Sequence, residues 1–439
     1  MNLRYHENII DELVFSQRSK KHTTGNNFIL LESQDSTHPA GRKSYFAADP
    51  GYEFYSYNTN IEIRTPENLI RKSGNPWDLF SEYRAEQAGW WFGYLGYDLK
   101  NHTEALISQN KDHVAAPDIY MMQPQLLIEI DHALNRVTVL SGSDDQLAGN
   151  INYSHTGWTI SGLQQSVNRH HYELMIRESQ ERIGEGEFYE INLSHQLHSK
   201  FEGDGYELYR DMRAAGPVPF GAFLQIDNMQ ICSLSPERFL QKNGSLLCSQ
   251  PIKGTAARDH NRREDALRQK ELKNEKNLAE NLMIVDLVRH DLSRVSVEGS
   301  VEVTKLFEIQ SFRTVHQLIS TVQSRLHEDA DPVSVIRACF PMGSMTGAPK
   351  ISVMKAIEEL ENYKRGIYSG AIGYFTPEND FDFNVVIRTA IITNNQLHYS
   401  VGGAITSDSE PAEEWEETLL KAKALTTILN SEQHSRNRF

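Results

Sequence analysis

One lysine sits in an unusual setting. In SQPIKGTAARD, Ser249 to Asp259, Lys253 stands between an apolar residue and Gly-Thr, just after a proline. Lysines usually occupy exposed helix faces, where the charge stays hydrated. Lys253 is therefore either an ordinary loop lysine or a desolvated amine with a chemical job. A second group is rich in carboxylates. Glu280 lies in AENLMIVD, and far along the chain EEWEETLLKAK carries Glu414, Glu417 and Lys421. Spaced by three and four, these last three share one face of a helix. Carboxylates from separate helices can converge on Mg²⁺, which takes few protein oxygens and keeps water or substrate in its other positions. The same residues also read as a solvated acidic face with a Glu417–Lys421 pair.

Other candidates are single signals. PMGSMTGAPKISVMKAIEEL runs a Gly/Ser/Thr loop, with Ser344 and Thr346, into a helix starting near Pro349. Such loops and helix starts favour anions, although a plain turn fits equally. It lacks the Gly-Lys-Ser/Thr order of a Walker motif. In SVGGAI, Gly402 and Gly403 before Ala404 mark a bulge or a place where backbone meets a ligand. Arg388 in VVIRTAII, read as a strand, shares a face with Val386 and Ala390. An arginine among buried apolar neighbours needs an anionic partner, from the protein or a substrate. An edge-strand arginine in water is the alternative. A lone histidine, His316 in FRTVHQLIS, is more often structural than catalytic. Glu237 in SLSPERF is equally uninformative alone. Together the set suggests a basic pocket with Mg²⁺ for a small polycarboxylate.

The elements that must position these residues are legible in part. NFILLES, FYSYNTNIEIRT and QPQLLIEIDHALNRVTVLSG read as strands with turns. Ser141 to Gly162 is the most linker-like stretch. HHYELMIRESQERIGEG has Tyr172, Met175, Ile176, Ser179 and Ile183 at helical spacing, and FYEINLSHQLHSKF then alternates like a strand. EKNLAENLMIVDLVRHDL reads as a helix with a stripe of Leu278, Leu282, Val285 and Val288. Asp331 and Pro332 make a helix start. From Gly366 to Gly403 the pattern is an antiparallel meander, turning at Asn394-Asn395. The last helix begins near SEPAEEWEETLLKAKAL. The mixture is α+β.

Bulk properties set outer limits. The chain has 439 residues, 39% hydrophobic and 23% charged, as in soluble globular proteins. A net charge of −15 argues against a general nucleic-acid or anionic-membrane binder. The three cysteines form no metal or disulfide pattern. The N-terminal stretch is too polar for a signal peptide, and no apolar run is long enough to span a bilayer, so a cytoplasmic location is the expectation.

PIKGT, AENLMIVDLVRHDL, GSMTGAPK, GIYSGAIGYF, IRTA, GGAI and EEWEETLLKAK occur in this order, and the set resembles the chorismate-binding enzymes. The likeness covers roughly residues 165 to 435 as a catalytic region. Residues 1 to 150, with LLES at Leu30 to Ser33 and GWWFGYLGYD, resemble the same family's leader portion. The resemblance implies a single large α+β domain, anthranilate synthase component I-like, with antiparallel sheets packed on each other and helices outside. It implies chorismate as substrate and Mg²⁺ as cofactor. Glu280 and Glu417 would bind the metal, with Glu414 assisting through water. Tyr368, Arg388, the Gly402–Gly403–Ala404 backbone and Lys421 would hold the enolpyruvyl carboxylate. Ser344 and Thr346 would line the pocket, His316 would sit near the ring carboxylate, and Glu237 would be the general acid.

Within the family, anthranilate synthases typically carry PIAGT and the chorismate-aminating enzymes that supply para-aminobenzoate and folate typically carry PIKGT. The resemblance thus implies amination at C4, giving 4-amino-4-deoxychorismate. A lysine amine can add at C2 while hydroxide leaves C4, and ammonia can then add at C4 and expel the lysine. The attacking amine must be neutral, so a lowered pKa is expected at Lys253. No glutaminase motif is present, which implies ammonia from a separate glutamine amidotransferase subunit. An anthranilate-forming enzyme and a non-catalytic chorismate-binding subunit are the alternatives. Two positions depart from the family. Asn277 replaces an acidic residue three before Glu280, which would loosen the metal's surroundings. Glu190 stands where water-adding members have lysine and amine-adding members usually have glutamine, and could accept a proton or bind incoming ammonia. LLES is similar to a tryptophan-binding segment in anthranilate synthases, but strand packing explains it as well.

Overall fold

A computed structural model describes residues 3–20, 26–34, 41–143, 157–312 and 315–436. Its frame is one long antiparallel ladder. Phe28–Glu32, the FILLE segment, is paired on both edges, with Lys43–Tyr57 on one side and Phe220–Ile226 on the other. This short strand thereby joins the N-terminal third to the rest. Beyond Phe220–Ile226 the ladder continues through Met229–Ser235, Thr389–Thr393, Gln396–Ile405 and Glu190–Gly203 to Trp158–Gln165. In the other direction it runs from Lys43–Tyr57 through Ile119–Asp131, Trp91–Leu95, Ala371–Phe375 and Phe381–Asn384. It then passes through Arg238–Asn243 and Leu246–Gln250 to Val315–Arg325. That last strand also pairs with Ile252–Ala257 and Glu302–Ser311.

Strand alternation separates two kinds of core. Ile29, Ala47, Tyr94, Tyr120, Leu224 and Ile231 pack strand against strand between the sheets. Their neighbours Phe28, Leu30, Phe46 and Phe223 face outward, under the helices Leu3–Ser19 and Gly205–Ala215. Pro76–Glu86, Glu275–Ser293 and Pro332–Cys339 cover another outer surface. Arg169–Gly184, Lys350–Leu360 and Pro411–Arg436 pack over Glu190–Gly203. Sheets therefore pack on each other with helices outside, as expected. Asp331 caps its helix by accepting from the Ser334 N–H at 2.7 Å. Asn394 and Asn395 both take positive φ, as a tight hairpin demands.

Three expectations need correction. Arg388 is not in a strand: the expected run FDFNVVIRTAIIT breaks between Phe381–Asn384 and Thr389–Thr393, and Arg388 has φ 52°. On Glu275–Ser293 the buried stripe is Asn281, Ile284, Val285, Val288 and Leu292, while Leu282 is 52% exposed. A polar residue, Asn281, holds the central position because its Oδ1 accepts the Ser320 hydroxyl. Of the linker expected over Ser141 to Gly162, residues 144–156 lie outside the described residues, and the chain from Trp158 to Gln165 is a strand paired with Glu190–Gly203.

Candidate active site

The strand Glu190–Gly203 organises the site. Its first residues lie between two glycine-bearing segments. Gly347 and Ala348 pair with Ile191 and Glu190 on one edge. Gly402, Gly403 and Ala404 pair with Ser194, Leu193 and Asn192 on the other. Gly347 has φ 134°, and a Cβ there would collide with the Glu190 carbonyl. A Cβ on Gly403 would lie 3.2 Å from Glu414 Oε2. The two motifs GSMTGAPK and GGAI thus admit close neighbours to a crowded strand end.

Lys253 answers to this strand. Its own strand, Ile252–Ala257, breaks register between Ile252 and Thr255, where Gly254 takes φ 81°. The irregularity turns the lysine inward. Lys253 is only 8% exposed, and its Nζ donates to Glu190 Oε1 at 2.6 Å. Burial is the largest single influence and pulls the ammonium down, but Glu190, Glu280 and Glu237 outweigh it and the net shift is upward. The lowered pKa expected from the sequence is therefore corrected: in the protein alone Lys253 is an ammonium. Glu237 lies nearby, fully buried. Burial pushes it up to about 7, against hydrogen bonds from the Ser344 hydroxyl and Ile252 N–H and the charge of Lys253. A carboxyl poised near neutrality is suited to donate a proton.

The acidic residues gather beside this pair. Glu414 is buried and accepts from the Ser409 hydroxyl at 2.8 Å and Lys276 Nζ at 3.3 Å. The same Lys276 ammonium lies 4.0 Å from Glu280. Glu280 is pushed up by burial and by Glu190 and Glu414, against Lys253 and Lys276. Glu417 lies more openly and pairs with Lys421 at 2.7 Å, and Lys421 also donates to the Gly402 carbonyl at 2.8 Å. These hard oxygen donors suit Mg²⁺, and Lys276 already marks a point between two carboxylates that calls for positive charge. Among the described residues no three are gathered at metal-ligand spacing.

Burial lowers the pKa of the Arg388 guanidinium, against the opposing influence of the Tyr399 phenol. No carboxylate of the described residues pairs with it. The Tyr399 hydroxyl is buried without a hydrogen-bond partner. Tyr368 is buried close by, its hydroxyl pushed up by burial and by Glu361 and Tyr399 against Arg365. An arginine without a carboxylate partner and an unpartnered phenol leave polar groups of the kind a carboxylate ligand satisfies.

Two expected residues are hydrogen-bonded within the scaffold. His316 is fully buried, but its partners are Asp265 at 2.8 Å and Ser311 at 2.8 Å rather than Lys253, Glu280, Glu414 or Glu417. Thr346 is wholly buried and returns its hydroxyl to the Met342 carbonyl at 3.1 Å, while its own carbonyl accepts the Asn192 N–H. Asn277 donates to the Leu272 carbonyl at 3.0 Å and packs against Gly254, so it braces the lysine strand. Leu30, Leu31 and Glu32 of LLES are strand, and Leu31, Glu32 and Ser33 also edge a cavity of about 700 Å³. Glu32 in turn accepts from Arg213 at 2.9 Å and Tyr209 at 2.6 Å. Sequence reasoning missed Lys276 and Tyr399. The first was available as the residue four before Glu280. The second becomes visible only once Tyr399 is placed opposite Ala390, beside Arg388.

Residues 26–427 match the chorismate binding enzyme family, and the chain belongs to it. It is 32% identical over 92% of its length to aminodeoxychorismate synthase component 1 of Klebsiella aerogenes, covering 94% of that protein. It is 38% identical over 79% of its length to aminodeoxychorismate synthase of Streptomyces griseus, of which it spans only 51%, about half. In structure it is similar to anthranilate synthase component I from Streptococcus pneumoniae, with a TM-score of 0.78, 27% identity and coverage of 93% of this chain and 94% of that one.

Proposed function

We propose that this chain aminates chorismate with ammonia to 4-amino-4-deoxychorismate, toward para-aminobenzoate and folate. The observation that carries the reading is Lys253: a buried amine in contact with Glu190 and within the field of Glu237 and Glu280. The names of the relatives support it, and "component 1" implies a second component. Ammonia would come from that component, a separate glutamine amidotransferase subunit, and the assembly would work in the cytoplasm.

The chemistry assigns each residue a task. Arg388, Tyr368 and Tyr399, with the Gly402–Gly403–Ala404 backbone and Lys421, would hold the enolpyruvyl carboxylate. Glu280, Glu414 and Glu417 would hold Mg²⁺, which would neutralise the ring carboxylate. Lys253 would form a bond from Nζ to C2 as the ring double bond shifts and the C4–oxygen bond breaks. Glu237, oriented by Ser344, would give its proton to the departing hydroxyl, so that water leaves. Ammonia would then bond to C4 while the C2–Nζ bond breaks and Lys253 is released.

The test is purified protein with chorismate, ¹⁵N-ammonium and Mg²⁺, the product read by NMR. Nitrogen on C4 supports the proposal, and chelation of Mg²⁺ then abolishes turnover. Nitrogen on C2, or anthranilate, would move the chain to the anthranilate-forming branch. Chorismate bound without turnover would make it a non-catalytic binding subunit. Glutamine should replace ammonium only when the second component is added.

A further inference from the structure

Lys253 poses a problem that the reaction must solve. The lysine is an ammonium in the resting protein, yet its nitrogen must be free to attack. The group touching that nitrogen is Glu190, 2.6 Å away and 1% exposed. Glu190 uses one carboxylate oxygen only: Oε2 is buried and has no hydrogen-bond partner. A buried carboxylate oxygen left open is costly unless something is to arrive there. The backbone leaves Glu190 little freedom, because Ala348 is paired with it and the Tyr189 N–H donates to the Ala348 carbonyl at 2.7 Å. A fixed acceptor with a vacant oxygen thus faces the nitrogen that has to lose a proton.

We propose that Glu190 is the proton acceptor of Lys253 and stores that proton while the lysine nitrogen is bonded to substrate. The inference rests on the lysine-adduct reading above. The protons balance through the cycle. Lys253 passes one proton to Glu190, leaving a free amine and a carboxylic acid. The amine bonds to C2, Glu237 protonates the C4 hydroxyl, and water departs, leaving an alkylammonium at C2 and Glu237 ionised. Ammonia bonds to C4, and the C2–nitrogen bond breaks to release Lys253 as the amine. Glu190 returns its proton to Lys253, and the C4 ammonium gives one to Glu237. The sum is chorismate plus ammonia to the C4 amine plus water, with both carboxyls and the lysine restored.

The experiment follows the adduct directly. Enzyme, chorismate and Mg²⁺ are mixed without ammonia, and the Lys253 adduct, chorismate less water, is timed by intact mass between about pH 6 and 9. In the unaltered protein the rate should be flat below about pH 7, because the proton moves within the site, and should fall above it only as Glu237 ionises. In Glu190→Gln the proton must leave to solvent. The rate should fall on the order of 100-fold near neutrality and drop about tenfold for each unit of pH lowered. Glu190→Asp should keep the flat profile at a reduced rate. A flat profile in folded Glu190→Gln, whatever its height, would overturn the proposal and leave Glu190 a positioning residue. If Lys253→Ala still makes the C4 amine at the normal rate, the adduct reading itself fails, independently of Glu190.

Discussion

Two buried ion pairs lie within the same region, and they are built differently. Arg365 and Glu361 are closed on all sides. The guanidinium donates to both Glu361 oxygens at 2.6 and 2.9 Å, to the Met345 and Asn192 carbonyls at 2.7 Å each, and to Ser369. Glu361 also accepts the Ser194 N–H and hydroxyl. Lys253 and Glu190 are equally close but share a single bond, and one carboxylate oxygen stays open. Low dielectric makes every unmet polar atom costly, so a saturated network rigidifies while a half-met one is poised for a visitor. Arg365 ties the Gly343–Met345 turn to the strand Glu190–Gly203, and so fixes the frame on which the open pair works.

Disabling each pair should separate the two roles. Lys253→Met should remove turnover by on the order of a thousandfold or more while the protein stays folded, because the pair is held by a single hydrogen bond. Arg365→Met leaves Glu361 buried without its partner, with the Met345 and Asn192 carbonyls unmet. Loss of one member of such a pair costs about 3–5 kcal/mol. Thermal unfolding should therefore shift strongly for Arg365→Met and weakly for Lys253→Met. A large loss of stability in Lys253→Met would make the open pair structural after all.

The next effect concerns the metal. Glu417→Gln removes a hard anionic donor, and activation by Mg²⁺ should weaken by roughly 10–100-fold, read as the concentration giving half-maximal rate. Unchanged Mg²⁺ activation would remove Glu417 from the metal set. An effect of similar size is expected from Arg388→Gln. A charge-assisted hydrogen bond contributes about 1.5–3 kcal/mol, so KM for chorismate should rise roughly 10- to 100-fold with kcat less affected. An unchanged KM would deny Arg388 the substrate carboxylate.

Much of the site was readable because its residues sit on strongly patterned elements. Glu414, Glu417 and Lys421 follow helical spacing, while the glycines of SVGGAI, read as a bulge or a ligand approach, lie in a regular strand with Glu414 where a Cβ on Gly403 would point. What escaped depended on long-range packing. Arg388 looked like a strand residue because apolar residues continue on both sides, yet the chain breaks there. The charge state of Lys253 could not be judged from its apolar flanks, because the carboxylates that raise it come from positions 190, 237 and 280. His316 carried no local sign that Asp265 and Ser311 would claim it.

The smallest effect is a pH limb, and it bears on the open pair through its neighbour. Burial holds the Glu237 carboxyl at about 7, well above the ordinary glutamate value. Below that pH it is protonated and can give a proton to a departing hydroxyl. As pH rises through about 7 it ionises, and the acid is lost. Stability has the same sign: a raised folded pKa contributes stability below the unfolded value that disappears as pH climbs through the folded one. A carboxylic-acid infrared band should therefore titrate near neutrality and be missing from Glu237→Gln. Rate should halve where that band halves. Replacing Ser344 by alanine removes a hydrogen bond that favours the carboxylate, so both midpoints should move upward together. A band that titrates in the ordinary glutamate range would place the proton donor elsewhere in the cleft and leave Glu237 a buried companion of Lys253.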